Sequence, residues 1–294
     1  MSKMQGNIQR ELVSWFHRNL SRGNSHCLYC GREVTEDSNK EHLIARNFVP
    51  KGSYGSDDFN FLFRACRCCN SSKADDERHV SSITLVNSPA RSENQLADAD
   101  AVRKAHGDFH PDKPGKKIAD SCDERKVVLQ QSPQMGISMG FTSPPQTNID
   151  CVRRLALSHV QGLFSLVKTR DIRMPVLLTP GSFRFFKCFG FGDWGNPQLK
   201  ELSEQVEGWH SPLDVMAADG FFRASLRHND SNEWFWALEW NKYLRVVGAL
   251  TQQDKPTPAP FKGLPKLKWR PLPCNGYRYR QEVPFADDYR LFLS

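Results

Sequence analysis

At 294 residues, with 39% hydrophobic and 11% aromatic content, the chain is long enough to bury a core without disulfides and suggests one large or two modest domains, with two as the working count. An excess of 40 Lys and Arg over 33 Asp and Glu gives a formal charge of +7 and a pI near 8.9, a balance that favours polyanionic partners in general. A mean hydropathy of -0.57 and the lack of any apolar run approaching the ~18 residues of a membrane helix leave no room for membrane spans.

The N-terminal stretch alternates charged and apolar residues too closely for a secretory signal. Nine cysteines, with four at metal-type spacing, suit a reducing compartment, so a cytoplasmic protein is expected. Ile8, Leu12, Val13, Phe16 and Leu20 predict an amphipathic helix over 7–20, read as a lid on a small core. Cys27-x-x-Cys30 follows, and Gly31-Arg32 reads as the tight turn of a zinc knuckle. Glu41 and His42 precede Leu43, Ile44 and Phe48, and the turn formers of VPKGSYGSDD predict a loop. Phe59, Phe61 and Phe63 alternate around Asn60 and Leu62, a short strand running into Cys66. From Arg67 a helix of about three turns is expected, on which Asn70 and Lys73, three apart, share a face.

Residues 87–120 carry the weakest pattern, with a short helix near 95–106 and a linker after it. The domain boundary is placed near 115, dividing the chain into 1–115 and 116–294. Ile149, Val152, Leu155, Ala156, Val160, Leu163, Phe164 and Val167 predict a core helix with Asn148 as its N-cap. Phe183–Phe191 reads as a strand, and Asn196-Pro197 opens a helix carrying Leu199, Leu202 and Val206. Residues 221–250 form three extended runs, an antiparallel meander whose Trp234, Trp236, Leu238 and Trp240 share a face; a buried sheet face is preferred over base stacking. The tail from Lys255 to Gln281 is proline-rich and free of acidic residues. Its Lys266, Lys268, Arg270, Arg278 and Arg280, interleaved with Trp269, Tyr277 and Tyr279, fit either phosphate contact with base stacking or an extended solvated arm.

The two Cys-x-x-Cys pairs offer four thiolates to one tetrahedral zinc: Cys27, Cys30, Cys66 and Cys69, with a Cys66/Cys68 pairing left open by the spacing. His79, His106 and His110 are not read as ligands, the last two being taken as exposed, and Cys122, Cys151, Cys188 and Cys274 are read as free thiols.

Cys-x-x-Cys, Glu-His-hydrophobic, an Asn opening a hydrophobic strand, then Cys-x-x-Cys-Asn-x-x-Lys resembles the HNH endonuclease family over residues 26–80. The resemblance implies a ββα-metal domain with zinc knuckles at the N-terminal end; the residue patterns beyond it predict a mixed α+β domain containing the meander, so the fold class expected for the chain is α+β. The resemblance also implies His42 as general base, Asn60 as the asparagine that positions it, and Glu41 and Asn70 as ligands of a catalytic magnesium or manganese. Lys73 would hold a neighbouring phosphate. Ala45 departs from the proline that many members carry three residues after the histidine, and Glu41 from their aspartate. The expectation is a DNA endonuclease, with RNA left open, in restriction or phage defence. Its second domain would recognise the target, a regulatory ligand or a protein partner, and a homodimer is left open. The rivals are a non-catalytic zinc protein that binds nucleic acid and a regulatory protein that retains the scaffold for partner binding.

Overall fold

The computed structural model describes residues 24–36, 38–55, 58–132, 135–169, 174–251, 259–271, 278–284 and 291–292. The helix expected over 7–20, Lys255, Tyr277 and Cys274 lie outside them. The architecture is mixed α+β, with four α-helices and antiparallel sheets among the described residues. No described helix is long and apolar enough to cross a membrane.

Strands β1 (Asn39–His42) and β2 (Leu62–Ala65) form an antiparallel hairpin with His42 opposite Leu62 and Glu41 opposite Phe63. Phe63 and Ala65 point into the core, while Leu62 and Arg64 alternate to the outer face. Asn24 pairs with the outer edge of β2, its side chain accepting from Arg64 N (2.9 Å) and donating to Arg64 O (2.8 Å). Helix α1 (Arg67–Val86) starts directly after Cys66 and runs 20 residues, well past the three turns expected. Hydropathy hides its second half because that face is buried through ion pairs: Asp76, 4% exposed, receives Arg154 at 2.6 and 3.0 Å.

Helix α2 (Gln95–Gly107) matches the expected short helix, with Asn94 capping Leu96 N and Ala97 N. Strands β3 (Asp123–Ser132) and β4 (Met135–Ser143) form a separate two-stranded ribbon that the sequence reading did not anticipate. Helix α3 (Ile149–Lys168) is capped by Asn148, whose side chain accepts from Cys151 N at 2.8 Å, and it buries Val152, Leu155, Ala156, Val160 and Leu163. Strand β5 (Phe183–Gly190) and helix α4 (Pro197–Val206), capped by Asn196, are also where the sequence puts them. Strands β6 (His210–Ala217), β7 (Phe222–His228), β8 (Trp234–Trp240) and β9 (Leu244–Leu250) complete an antiparallel sheet of order β5-β9-β8-β7-β6, in which β7–β9 are the meander.

The sheet is covered on both faces. Trp234, Trp236, Leu238 and Trp240 join the core shared with α3, while Phe235 and Ala237 face α4 together with Phe261, Leu291 and Phe292. Trp236 and Trp240 are 0% exposed, which leaves no aromatic row for bases to stack on. The turn after β8 takes left-handed backbone at Asn241 and Lys242 (φ 53° and 52°), and Asn241 Nδ2 donates to Phe48 O (3.2 Å) and Thr84 Oγ1 (2.8 Å). One apolar cluster therefore runs from Cys27, Leu43 and Phe48 to Leu163, Trp236 and Trp240, so the boundary near residue 115 does not separate two cores.

His110 is buried (5% exposed), contrary to expectation, because Nδ1 accepts from Asp112 N and Nε2 contacts Gln146 O at 3.0 Å. Its ring packs edge-on against His79, whose Nε2 accepts from Asn148 N at 2.8 Å. Burial, then the neighbouring His110, lowers His79 from 6.5 to about 4, against the pull of Asp112 and Asp76. The unfolded chain thus takes a proton on this group below about 6.5 and the folded chain only below about 4, so stability falls as pH drops through that window. The full effect is up to about 3 kcal/mol. Denaturant midpoints at pH 7 and pH 4.5 should differ less in His79→Gln, which keeps an acceptor for Asn148 N but does not titrate.

Candidate functional site

The cysteine site is built by two backbone devices. Cys27 N donates to Arg32 O (2.7 Å) and Gly31 N to Cys27 O (2.9 Å), folding the first pair into a knuckle. Gly31 has φ 71°, and an added Cβ would lie 2.6 Å from Leu177 Cδ1, so both conformation and space call for glycine. The second pair straddles the start of α1: Cys66 is the extended N-cap and Cys69 sits in the first turn, with Asn70 N donating to Cys66 O (3.0 Å). The ligand atoms of Cys27, Cys30, Cys66 and Cys69 lie within 4.8 Å of one another, and the Cys30 and Cys66 sulfurs are 3.7 Å apart. Four thiolates at about 2.3 Å from a tetrahedral zinc would be spaced about 3.8 Å. The cluster can hold a metal ion such as zinc. Cys68 is exposed and outside the group, which settles the alternative pairing. Burial pushes Cys27 up; for Cys66 hydrogen bonds from Cys69, Cys27 and Cys30 outweigh burial and the direction is down. A metal overrides both by binding thiolates outright.

Between the cysteine pairs, β1 ends at His42, which is half-buried, and hands over to a turn whose backbone groups are paired one by one. His42 O accepts from Lys73 Nζ (3.2 Å) and Leu43 N donates to Phe61 O (2.8 Å). Asn60 clasps Ile44 on both sides, Nδ2 donating to its carbonyl (2.9 Å) and Oδ1 accepting from its amide (3.3 Å). Ala45 N donates to Glu77 Oε1 (3.2 Å), and Phe48 N to Ala45 O (2.8 Å). Asn70 is half-buried on the first turn of α1.

Leu43 packs on Gly162 of α3, where an added Cβ would overlap Leu43 Cδ1. Gly162→Ala should therefore cost about 1–3 kcal/mol through overpacking, read as a lowered denaturant midpoint. An unchanged midpoint would mean that the turn shifts freely.

Glu41 and Lys73 differ most from expectation. Lys73 is 2% exposed, so it does not offer its charge to a phosphate; its Nζ lies 2.7 Å from Glu41 Oε1 and 2.6 Å from Glu77 Oε1. The helix face that carries Lys73 is turned toward β1, where two carboxylates compensate its ammonium. Glu41, 7% exposed, shares its Oε1 with Lys73 and, at 3.5 Å, with Tyr29 OH. Burial pushes Glu41 up, Lys73 pulls it down, and the net direction is up. For Glu77 burial also pushes up, yet Lys73 and His159 outweigh it and the direction is down. His159 of α3, fully buried, lies 3.8 Å from Glu77 Oε1; burial lowers it to about 4, so at neutral pH Lys73 is the cation that holds Glu77. Sequence reasoning missed Glu77 and His159. The i,i+4 spacing of Lys73 and Glu77 was the available signal for the first; nothing local marks the second.

The basic tail divides. Lys266, Lys268, Arg270 and Arg278 are exposed, as are Trp269 (53%) and Tyr279 (44%), on or next to the short ribbon of β10 (Arg270–Pro271) and β11 (Arg278–Tyr279). Arg280 is structural instead, holding Asp193 by two hydrogen bonds (2.7 and 2.5 Å) with 17% of its side chain exposed. Phe261 stacks on Phe186 at 4.5 Å and anchors this segment to the outer face of the sheet.

No family model, curated protein or solved structure matches the chain.

Proposed function

We propose that the chain is a metal-dependent HNH-type endonuclease that hydrolyses phosphodiester bonds in DNA. The observation that carries this reading is the pinning of the turn after His42: Asn60 clasps Ile44 from both sides, in a hairpin whose following helix bears Asn70 and whose two ends meet at four cysteines. In this reading zinc at the cysteines is structural and closes the hairpin against the start of α1. A neutral imidazole at His42 takes the proton of the attacking water near physiological pH. Asn60 fixes the backbone beside the base, so no reorganisation is needed at the moment of attack.

Glu41 and Asn70 suit a hard divalent cation, since they offer a carboxylate and an amide oxygen. Lys73 holds Glu41 Oε1 at 2.7 Å, so a cation there would compete with its ammonium for the carboxylate. Magnesium or manganese held there would stabilise charge on the scissile phosphate and the departing oxygen. Restriction or phage defence in the cytoplasm fits a nuclease joined to a second region that recognises a target or a regulator, by analogy of architecture alone. The test is incubation of plasmid DNA with purified protein and magnesium or manganese, with His42→Ala alongside.

A second reading, a non-catalytic zinc protein that binds nucleic acid, is favoured by the exposed Lys266, Lys268, Arg270 and Arg278 beside Trp269 and Tyr279. Replacing these four cations with alanine should flatten the salt dependence of DNA binding, by a slope of about 0.9 for each phosphate no longer neutralised. An unchanged slope would assign the tail a purely structural role. Binding that persists with no cleavage of any DNA or RNA would favour this second reading over the nuclease.

A further inference from the structure

We propose that Glu77 is a positioning residue for His42, a single buried carboxylate that fixes the far end of the turn through Ala45 and its near end through Lys73. Its Oε1 accepts from Ala45 N (3.2 Å) and from Lys73 Nζ (2.6 Å), and the same Nζ reaches His42 O (3.2 Å) and Glu41 Oε1 (2.7 Å). Glu77 is 4% exposed. A buried ion pair is a poor source of stability compared with an apolar replacement of similar volume, so its presence here points to geometry.

Ala45 supplies the independent observation. Proline at this position would fix the backbone covalently but would offer no N–H. Here the N–H exists and is used, so Glu77 restrains by hydrogen bond what a pyrrolidine ring would restrain by covalent closure. His159 backs the carboxylate from α3, 3.8 Å away, and is itself held edge-on by Phe48, Phe222 and Trp240 at 5.3 to 5.7 Å. The region beyond residue 115 thus supplies a wall of the turn that carries His42.

The catalytic half of this inference rests on His42 being the base; the geometric half does not, and the experiment keeps them apart. Glu77→Ala, Glu77→Gln and Glu77→Ala combined with Ala45→Pro are compared for zinc content, plasmid cleavage and hydrogen exchange at the Ile44 amide. Glu77→Ala should lower kcat about 10- to 100-fold with KM unchanged and speed Ile44 exchange by a similar factor. Adding Ala45→Pro should recover at least several-fold of both, because it restores rigidity without restoring charge. Glu77→Gln keeps an acceptor for Ala45 N and should fall between; it carries the test alone if the alanine variants do not fold. Wild-type kcat and exchange in a folded, zinc-replete Glu77 variant would overturn the proposal, as would a loss that proline at position 45 does not relieve. If the wild type cleaves nothing, the nuclease reading fails on that result, while Ile44 exchange still decides whether Glu77 fixes the turn.

Discussion

Alanine at position 42 is expected to lower plasmid cleavage by roughly 10²- to 10⁴-fold, the range lost with a general base. Zinc content and the denaturant midpoint should stay near wild type. The separation is expected because the backbone bonds that shape the turn survive truncation of the side chain. They run from Lys73 to the His42 carbonyl, from Asn60 to both sides of Ile44 and from Ala45 N to Glu77, and alanine retains every backbone group among them. His42 is half-buried, so truncation leaves a small, water-accessible gap and not a sealed cavity in the core. Undiminished cleavage by a folded variant would remove His42 as the base and leave the scaffold unexplained as a catalyst.

Loss of the metal from the cysteine cluster is expected to have the largest effect on the fold. Structural zinc contributes an apparent ~10–16 kcal/mol in small zinc domains, comparable to the ~5–15 kcal/mol that holds a typical domain together. Purified protein should carry zinc in stoichiometric amount by elemental analysis. Cys69→Ser should abolish it, whereas Cys68→Ser, exposed and outside the cluster, should not. The damage should be graded along the chain. The knuckle at Gly31, the β1–β2 hairpin and the first turn of α1 meet at the four sulfurs and should lose amide protection. The sheet should lose less of it, since its other face packs Phe235 and Ala237 on α4 in a second cluster that contains none of the cysteines. Folded protein with no zinc and an intact hairpin would refute the site.

What could be read from the sequence is what depends on spacing over a few residues. The knuckle glycine, the N-caps at Asn148 and Asn196 and the meander are all local, and each is where the pattern puts it, while the strand expected from the Phe59, Phe61 and Phe63 alternation is confined to Leu62–Ala65. The Cys66 or Cys68 choice needed coordinates because both spacings are sterically reasonable. Polar residues escape such a reading where their partners are remote. Lys73 meets Glu41 from 32 positions away, Arg154 meets Asp76 from 78 and Arg280 meets Asp193 from 87. A lysine on a helix is ordinarily solvated, and only its distant carboxylate reveals that this one is buried. The same remoteness hid the length of α1, whose buried face is largely polar. Likewise, no change of composition near residue 115 could report that the apolar core continues across it.

That continuity also bears on synthesis. Leu43 rests on Gly162, and Phe48 lies against Trp240, with its carbonyl taken by Asn241. A ribosome therefore releases Glu41, His42, Asn60 and Asn70 long before it releases the residues that wall in their turn. Until Asn241 has emerged, the emerging chain holds every group needed for the proposed hydrolysis but not the surface that aligns them. On the proposed nuclease reading, a translation product truncated before Asn241 should therefore lack cleavage, however complete its set of reacting groups.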